Sequence, residues 1–131
     1  MDELPIRSGD DVVRVRQQVR TVAAENGFSL VDQTKLVTAA SELARNTLVH
    51  GGGGTARVEV VKSPTGRAGV KLHFTDEGPG IADINLALTD GWTSGNGLGL
   101  GLSGSRRLVD EFEVSSQPGA GTSVMVVKWS R

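Results

Sequence analysis

The chain has 131 residues, with 14 Lys and Arg against 15 Asp and Glu, a formal net charge of −1 and no cysteine. That length sets one domain with room for a real core. The charge balance gives no electrostatic case for nucleic acid or an anionic membrane, and the absent thiols exclude disulfides, thiolate catalysis and cysteine metal sites.

The opening "MDELPIRSGDD" is acidic and polar, unlike a signal peptide. No apolar run approaches the ~18 residues of a membrane span, so a soluble, cytoplasmic protein is expected. "LPIR" predicts a short first strand. In "DDVVRVRQQVRTVAAENG", Val12, Val15, Val19 and Val22 fall at helical spacing, and Asn26-Gly27 is a stop signal. Arg14, Arg16 and Arg20 lie off that stripe and read as solvated. "VDQTKLVTAASELARNTLVH" predicts a second helix with Leu36, Ala40, Leu43 and Thr47 on one face, ended by four glycines. "ARVEVVK" and "GVKLHFTD" predict strands flanking a Pro64–Gly66 turn. Val70, Leu72 and Phe74 alternate with Lys71, His73 and Thr75, which leaves one sheet face wet.

A short helix is predicted over 83–89. "DGWTSGNG" reads as a mobile loop, a short lid carrying Trp92 with hinges at Gly91, Gly95 and Gly97. "LSGSRRLVDEF" resumes helical spacing through Leu102, Val109 and Phe112. "FEVSSQ" and "TSVMVVKW" close as a hairpin around "PGAG". The sum is a two-layer α/β sandwich, a mostly antiparallel mixed sheet with helices on one face.

Eighteen glycines are about twice the usual ~7% share. They gather at 51–54, 78–80, 95–104 and 119–121, as punctuation rather than linker. "GLGLSG" at 99–104 matches G-x-G-x-x-G, but a polar loop precedes it where a dinucleotide fingerprint follows a buried parallel strand. There is no G-x-x-x-x-G-K-[ST]. With two histidines, read as a helix cap (His50) and a surface residue (His73), a dedicated zinc site is not expected.

Glu42 and Asn46 are four apart and share a helix face; alone they read equally as an exposed polar pair. Asp76 ends a strand and opens "DEGPGI". It reads as a turn residue, or as an acceptor for a ligand amine, with Gly78 and Gly80 letting a base pack against bare backbone. "GAGT" at 119–122 is a hairpin turn, or part of a site in which the Thr122 hydroxyl reinforces Asp76.

The ordered set is more specific than its members. "SELARN" on a helix, "DEGPG" after a strand, "GLGLGL" into a helix and then "GAGT" resembles the GHKL (Bergerat-fold) ATPases, which include histidine kinases, type II topoisomerases and mismatch-repair ATPases. The resemblance covers nearly the whole chain, 1–131, as a single GHKL-type ATP-binding kinase domain. It aligns the N box with Glu42 and Asn46, the first glycine box with Asp76–Gly80, the second with Gly97, Leu98, Gly99, Leu100 and Gly101, and the last with Gly119–Thr122. "TAASELARNTLVHG" looks like the bacterial anti-sigma-factor serine/threonine kinases, and "GLGLGLSGSRRLVDEFEV" most like their stressosome switch-kinase branch, with Ser103 where that branch has proline.

The resemblance implies ATP with Mg held by the Asn46 amide oxygen, phosphates against the 97–101 backbone, and Glu42 as general base. It also implies transfer to a Ser or Thr of a STAS-domain protein, either an anti-sigma antagonist or a stressosome scaffold, in partner switching. A PP2C-type phosphatase or a sigma factor are further implied partners. The lid and the helix from 98, with Arg106 and Arg107, are the expected docking surfaces. Two other classes stay open: a non-catalytic ATP-binding module that sequesters a sigma factor or activates a phosphatase, and a plain ATPase.

Overall fold

The computed structural model describes residues 3–78, 102–116 and 119–131. Strand β1 (Glu3–Ile6) leads into helix α1 (Gly9–Glu25). Asp11, in the first turn of α1, accepts from the Arg7 N–H at 2.8 Å and pairs with Arg14 at 2.7 Å. Its negative charge suits a helix N-terminus. Val15, Val19 and Ala23 are fully buried while Val12 and Val22 are half-buried, so the predicted stripe is present with its centre shifted towards Ala23.

Helix α2 (Leu30–Val49) begins on a side-chain cap, the Ser29 hydroxyl accepting from the Asp32 N–H at 3.1 Å. Such a cap contributes about 1 kcal/mol. Asp32 then pairs with Lys128 at 3.6 Å, with side-chain exposures of 10% and 4%. Leu36, Ala40, Leu43 and Thr47 are buried as the helical spacing predicts. Ala39, Ala40 and Ala44 are fully buried, which keeps α2 close to its neighbours.

Strands β2 (Gly54–Lys62) and β3 (Ala68–Asp76) pair antiparallel across the expected turn, where Gly66 takes φ +86° and donates to the Ser63 carbonyl at 2.9 Å. Helix α3 (Leu102–Leu108) and strands β4 (Glu111–Ser116) and β5 (Thr122–Trp129) complete the described chain. The sheet order is β1-β2-β3-β5-β4, every pair antiparallel. Alternation turns Ala56, Val58, Val70, Leu72, Phe74, Val124 and Val126 towards the helices, where they join Val15, Val19, Leu36 and Leu43 in one core. The opposite face carries Lys71, His73 and Thr75 as predicted; His73 is half-buried and its Nε2 lies 2.6 Å from the Ser123 hydroxyl.

The sandwich is therefore the predicted one. The correction concerns the last helix, which stops at Leu108 and does not run through Val109 to Phe112. The Asp110 N–H donates to the Val127 carbonyl at 2.9 Å, and its carboxylate accepts from the Trp129 N–H at 2.8 Å and pairs with Arg131. This turns the chain into β4, where half-buried Phe112 and Val114 alternate with exposed Glu111 and Glu113. The apparent helical spacing was shared between two elements.

Both sheet edges have distinctive chemistry. β1 is four residues long and contains Pro5, and β4 displays Glu111 and Glu113. Among the described residues, no helix is long and apolar enough to cross a membrane. The predicted helix over 83–89, the 90–97 loop with Trp92, and residues 98–101 lie outside the described residues.

Candidate functional site

Helix α2, strands β3 and β5, and helix α3 converge on a small pocket. Among the described residues its apolar walls are Leu43, Phe74, Leu102 and Val124, and its polar groups Asn46, Thr47, His50, Asp76 and Thr122. The sheet register explains the strand side, since Phe74 stands opposite Val124 and Asp76 opposite Thr122. Helical periodicity explains the other side. Asn46 and His50 are one turn apart, as are Leu43 and Thr47, so two adjacent rows of α2 face the cleft. An apolar cleft with few convergent polar groups is the usual form of a small-molecule site.

Asp76 is 9% exposed at the end of β3. Its Oδ1 accepts from the Gly78 N–H at 2.9 Å, closing an Asx turn. Among the described residues no donor engages Oδ2. A carboxylate oxygen with spare acceptor capacity beside apolar walls suits an amino group on a flat heteroaromatic ligand. Thr122 lies across the ladder from Asp76, but its hydroxyl sits 2.9 Å from the Ser116 hydroxyl, which itself donates to the Gly121 carbonyl at 2.9 Å. Thr122 therefore lines the pocket with its hydroxyl held beside that of Ser116.

The structure brings Asn46, Asp76 and Thr122 into one pocket. Glu42 is half-buried on α2, one turn before Asn46 and outside the pocket lining. Gly78 does not line the pocket either: its N–H holds Asp76 and its Cα side lies against Gly51, where an added Cβ would come within 2.7 Å of the Gly51 Cα. Gly80 and the phosphate-loop candidates Gly97, Leu98, Gly99, Leu100 and Gly101 lie outside the described residues.

Sequence reasoning missed the site roles of His50, Gly51 and Gly54, and took Gly121 only as part of the Gly119–Thr122 box. His50 caps α2 as expected and also lines the pocket. Gly51, Gly54 and Gly121 all pack around Asp76. A Cβ on Gly54 would stand 2.0 Å from the Thr75 carbonyl oxygen, and one on Gly121, at φ +84°, 2.2 Å from the Asp76 carbonyl oxygen. The signal available was the glycine run itself, which the sequence explains equally well as a helix stop.

Residues 31–130 match the profile of the Histidine kinase-, DNA gyrase B-, and HSP90-like ATPases. With the pocket and sheet order above, this makes the chain a member of that ATPase family. Within it the chain belongs with the serine/threonine kinases and anti-sigma factors. It is 46% identical over 121 residues to serine/threonine-protein kinase RsbT of Bacillus subtilis (strain 168), covering 92% of this chain and 90% of that protein. It is 29% identical over 117 residues to the anti-sigma F factor of Thermoanaerobacter sp. (strain X514), covering 87% and 82%. Among solved structures, the RsbU and RsbW domains of Rv1364c from Mycobacterium tuberculosis align with a TM-score of 0.64 at 23% identity. That alignment covers 100% of this chain and 33% of that one, and supports the fold.

Proposed function

We propose that the chain is an ATP-dependent serine/threonine protein kinase of the bacterial cytoplasm. Its acceptor is a hydroxyl on a separate STAS-domain protein in a sigma-factor or stress-signalling partner switch. The observation that carries this is the joining of Asp76, in an apolar cleft, to the same helix that bears Asn46 and Glu42. The family membership supplies ATP as the nucleotide, and the kinase relative at 46% identity supplies the reaction type.

The residues divide the work. Leu43, Phe74, Leu102 and Val124 enclose the base, and the Asp76 carboxylate accepts from its 6-amino group. Guanine presents a carbonyl oxygen at that position, which would leave two acceptors facing each other. Among the described residues no three His, Cys, Asp or Glu side chains converge as a metal cage. The family resemblance implies Mg, which the Asn46 amide oxygen would hold and which would neutralise charge on the phosphates. The acceptor Ser or Thr oxygen forms a bond to the γ-phosphorus, the bond to the bridging oxygen breaks, and ADP leaves with that electron pair. Glu42 takes the hydroxyl proton. Positioning and charge neutralisation supply most of the rate in such transfers.

The anti-sigma F relatives favour one second reading, a module that binds ATP and sequesters its partner without transfer. Labelled ATP separates the readings. Label should accumulate on the STAS-domain protein as an acid-stable, base-labile ester. Glu42→Gln should keep ATP binding and lose transfer by about 10²–10⁴-fold, the size of a general-base contribution. Label released only as free phosphate would support a plain ATPase, and bound but unconsumed ATP the sequestering module.

A further inference from the structure

Glycine at position 51 needs an explanation that backbone geometry does not supply. Its φ is not among the positive values of this chain, whereas its neighbours Gly52 (φ +76°) and Gly53 (φ +112°) both take the left-handed conformation. What distinguishes Gly51 is its surroundings. A Cβ there would stand 2.3 Å from the Asp76 Cγ, 2.5 Å from its Cβ and 2.6 Å from its Oδ2. Those separations lie well inside van der Waals contact. At Gly52 an added Cβ would meet nothing within 4 Å.

The turn that carries Gly51 is tied to the nucleotide-facing helix. The Asn46 carbonyl accepts from both the His50 N–H (2.9 Å) and the Gly51 N–H (3.1 Å), and the Thr47 carbonyl accepts from the Gly53 N–H at 2.9 Å. At its other end Gly54 stands opposite Asp76 in the β2–β3 ladder. The Asp76 carboxylate is thus held between two glycines from distant parts of the chain: Gly78 donates to Oδ1, and Gly51 abuts the Oδ2 side.

We infer that Gly51 is a specificity-positioning residue. Its missing side chain fixes the Asp76 carboxylate in the orientation that selects the base, and its backbone links that carboxylate to Asn46. This rests on the nucleotide reading above. A methyl group at position 51 meets the Asp76 Cβ at 2.5 Å, a contact that no side-chain rotation relieves, so the turn and the end of β3 have to move apart and carry the carboxylate out of position. It should remove base selectivity while leaving the apolar walls of the cleft. The neighbour Gly52 provides the control: a side chain there strains the turn and, among the described residues, meets nothing within 4 Å.

The test uses the full chain and compares Gly51→Ala with Gly52→Ala by calorimetry with Mg-ATP and Mg-GTP, alongside melting temperatures without nucleotide. The wild type should prefer ATP by about 10- to 150-fold, as a charged hydrogen bond allows. Gly51→Ala should lower ATP affinity at least tenfold (~10) with little change for GTP, so that the ratio falls towards unity. Gly52→Ala should lower the melting temperature and keep the wild-type ratio. If Gly51→Ala does not fold, the double variant Gly51→Ala with Asp76→Gly should fold, because the clashing side chain is gone; a double variant that stays unfolded overturns the inference. A wild type that binds ATP and GTP equally sinks the nucleotide reading itself, and the inference with it. A selective wild type whose Gly51→Ala variant is equally selective, or whose two variants lose selectivity alike, overturns the inference alone.

Discussion

The two ends of helix α2 are held by opposite means. At its start the chain uses side chains: the Ser29 cap and the buried Asp32–Lys128 pair. At its finish it uses their absence, with Gly51 and Gly54 after α2, and Gly78 and Gly121 beyond, closing around Asp76. The first arrangement is an anchor, a hydroxyl cap followed by a buried pair of opposite charges 3.6 Å apart. The second clears space so that one carboxylate keeps, among the described residues, an oxygen with no donor on it in a cleft. A single helix therefore runs from a region built for stability to one built for recognition, and the two should respond differently to substitution.

The largest effect is expected at the anchor. Lys128→Ala leaves Asp32 buried without its counter-charge, which typically costs about 3–5 kcal/mol. Urea unfolding should report that loss, while folded protein keeps its preference for ATP over GTP. A loss of selectivity matching the loss of stability would erase the distinction between the ends. Next comes Asp76→Asn at the other end. The amide still accepts from the Gly78 N–H but loses the charged acceptor, so ATP should bind about 10- to 150-fold more weakly with the fold retained by circular dichroism. Unchanged affinity in calorimetry would remove Asp76 from the site. The smallest effect belongs to Ser29→Ala, which should lower stability by about 1 kcal/mol and leave nucleotide affinity alone; a larger loss would mean that the cap also holds Asp32 in place for Lys128.

Much of this was legible in the residues. Val70, Leu72 and Phe74 alternate, and Leu36, Ala40, Leu43 and Thr47 recur at helical spacing, so the burying faces of β3 and α2 follow from local pattern. The short stretch from Leu102 to Phe112 misleads because three apolar residues at near-helical intervals also fit a helix, a turn and a strand. Asn46, Asp76 and Thr122 were found through the order of their motifs. Gly51 and Ser116 were not, because their contacts reach residues far away in sequence or across a hairpin, and no local periodicity encodes that. His50 had a sufficient local role as a helix cap, which concealed its place in the pocket wall.

The edges of the sheet bear on how other proteins can be received. A partner can bind by adding a strand where an edge offers a run of free N–H and C=O groups. β1 offers four residues interrupted by Pro5, which has no N–H to give, and β4 is six residues long and carries the charged Glu111 and Glu113 on its outer face. Short strands, proline and charge all discourage such pairing. The described sheet is therefore a poor template for strand exchange with a second copy or with a client. A partner that docks on it would then be recognised through side chains, on the helices, around the cleft or on the open face of the sheet, rather than through shared backbone pairing.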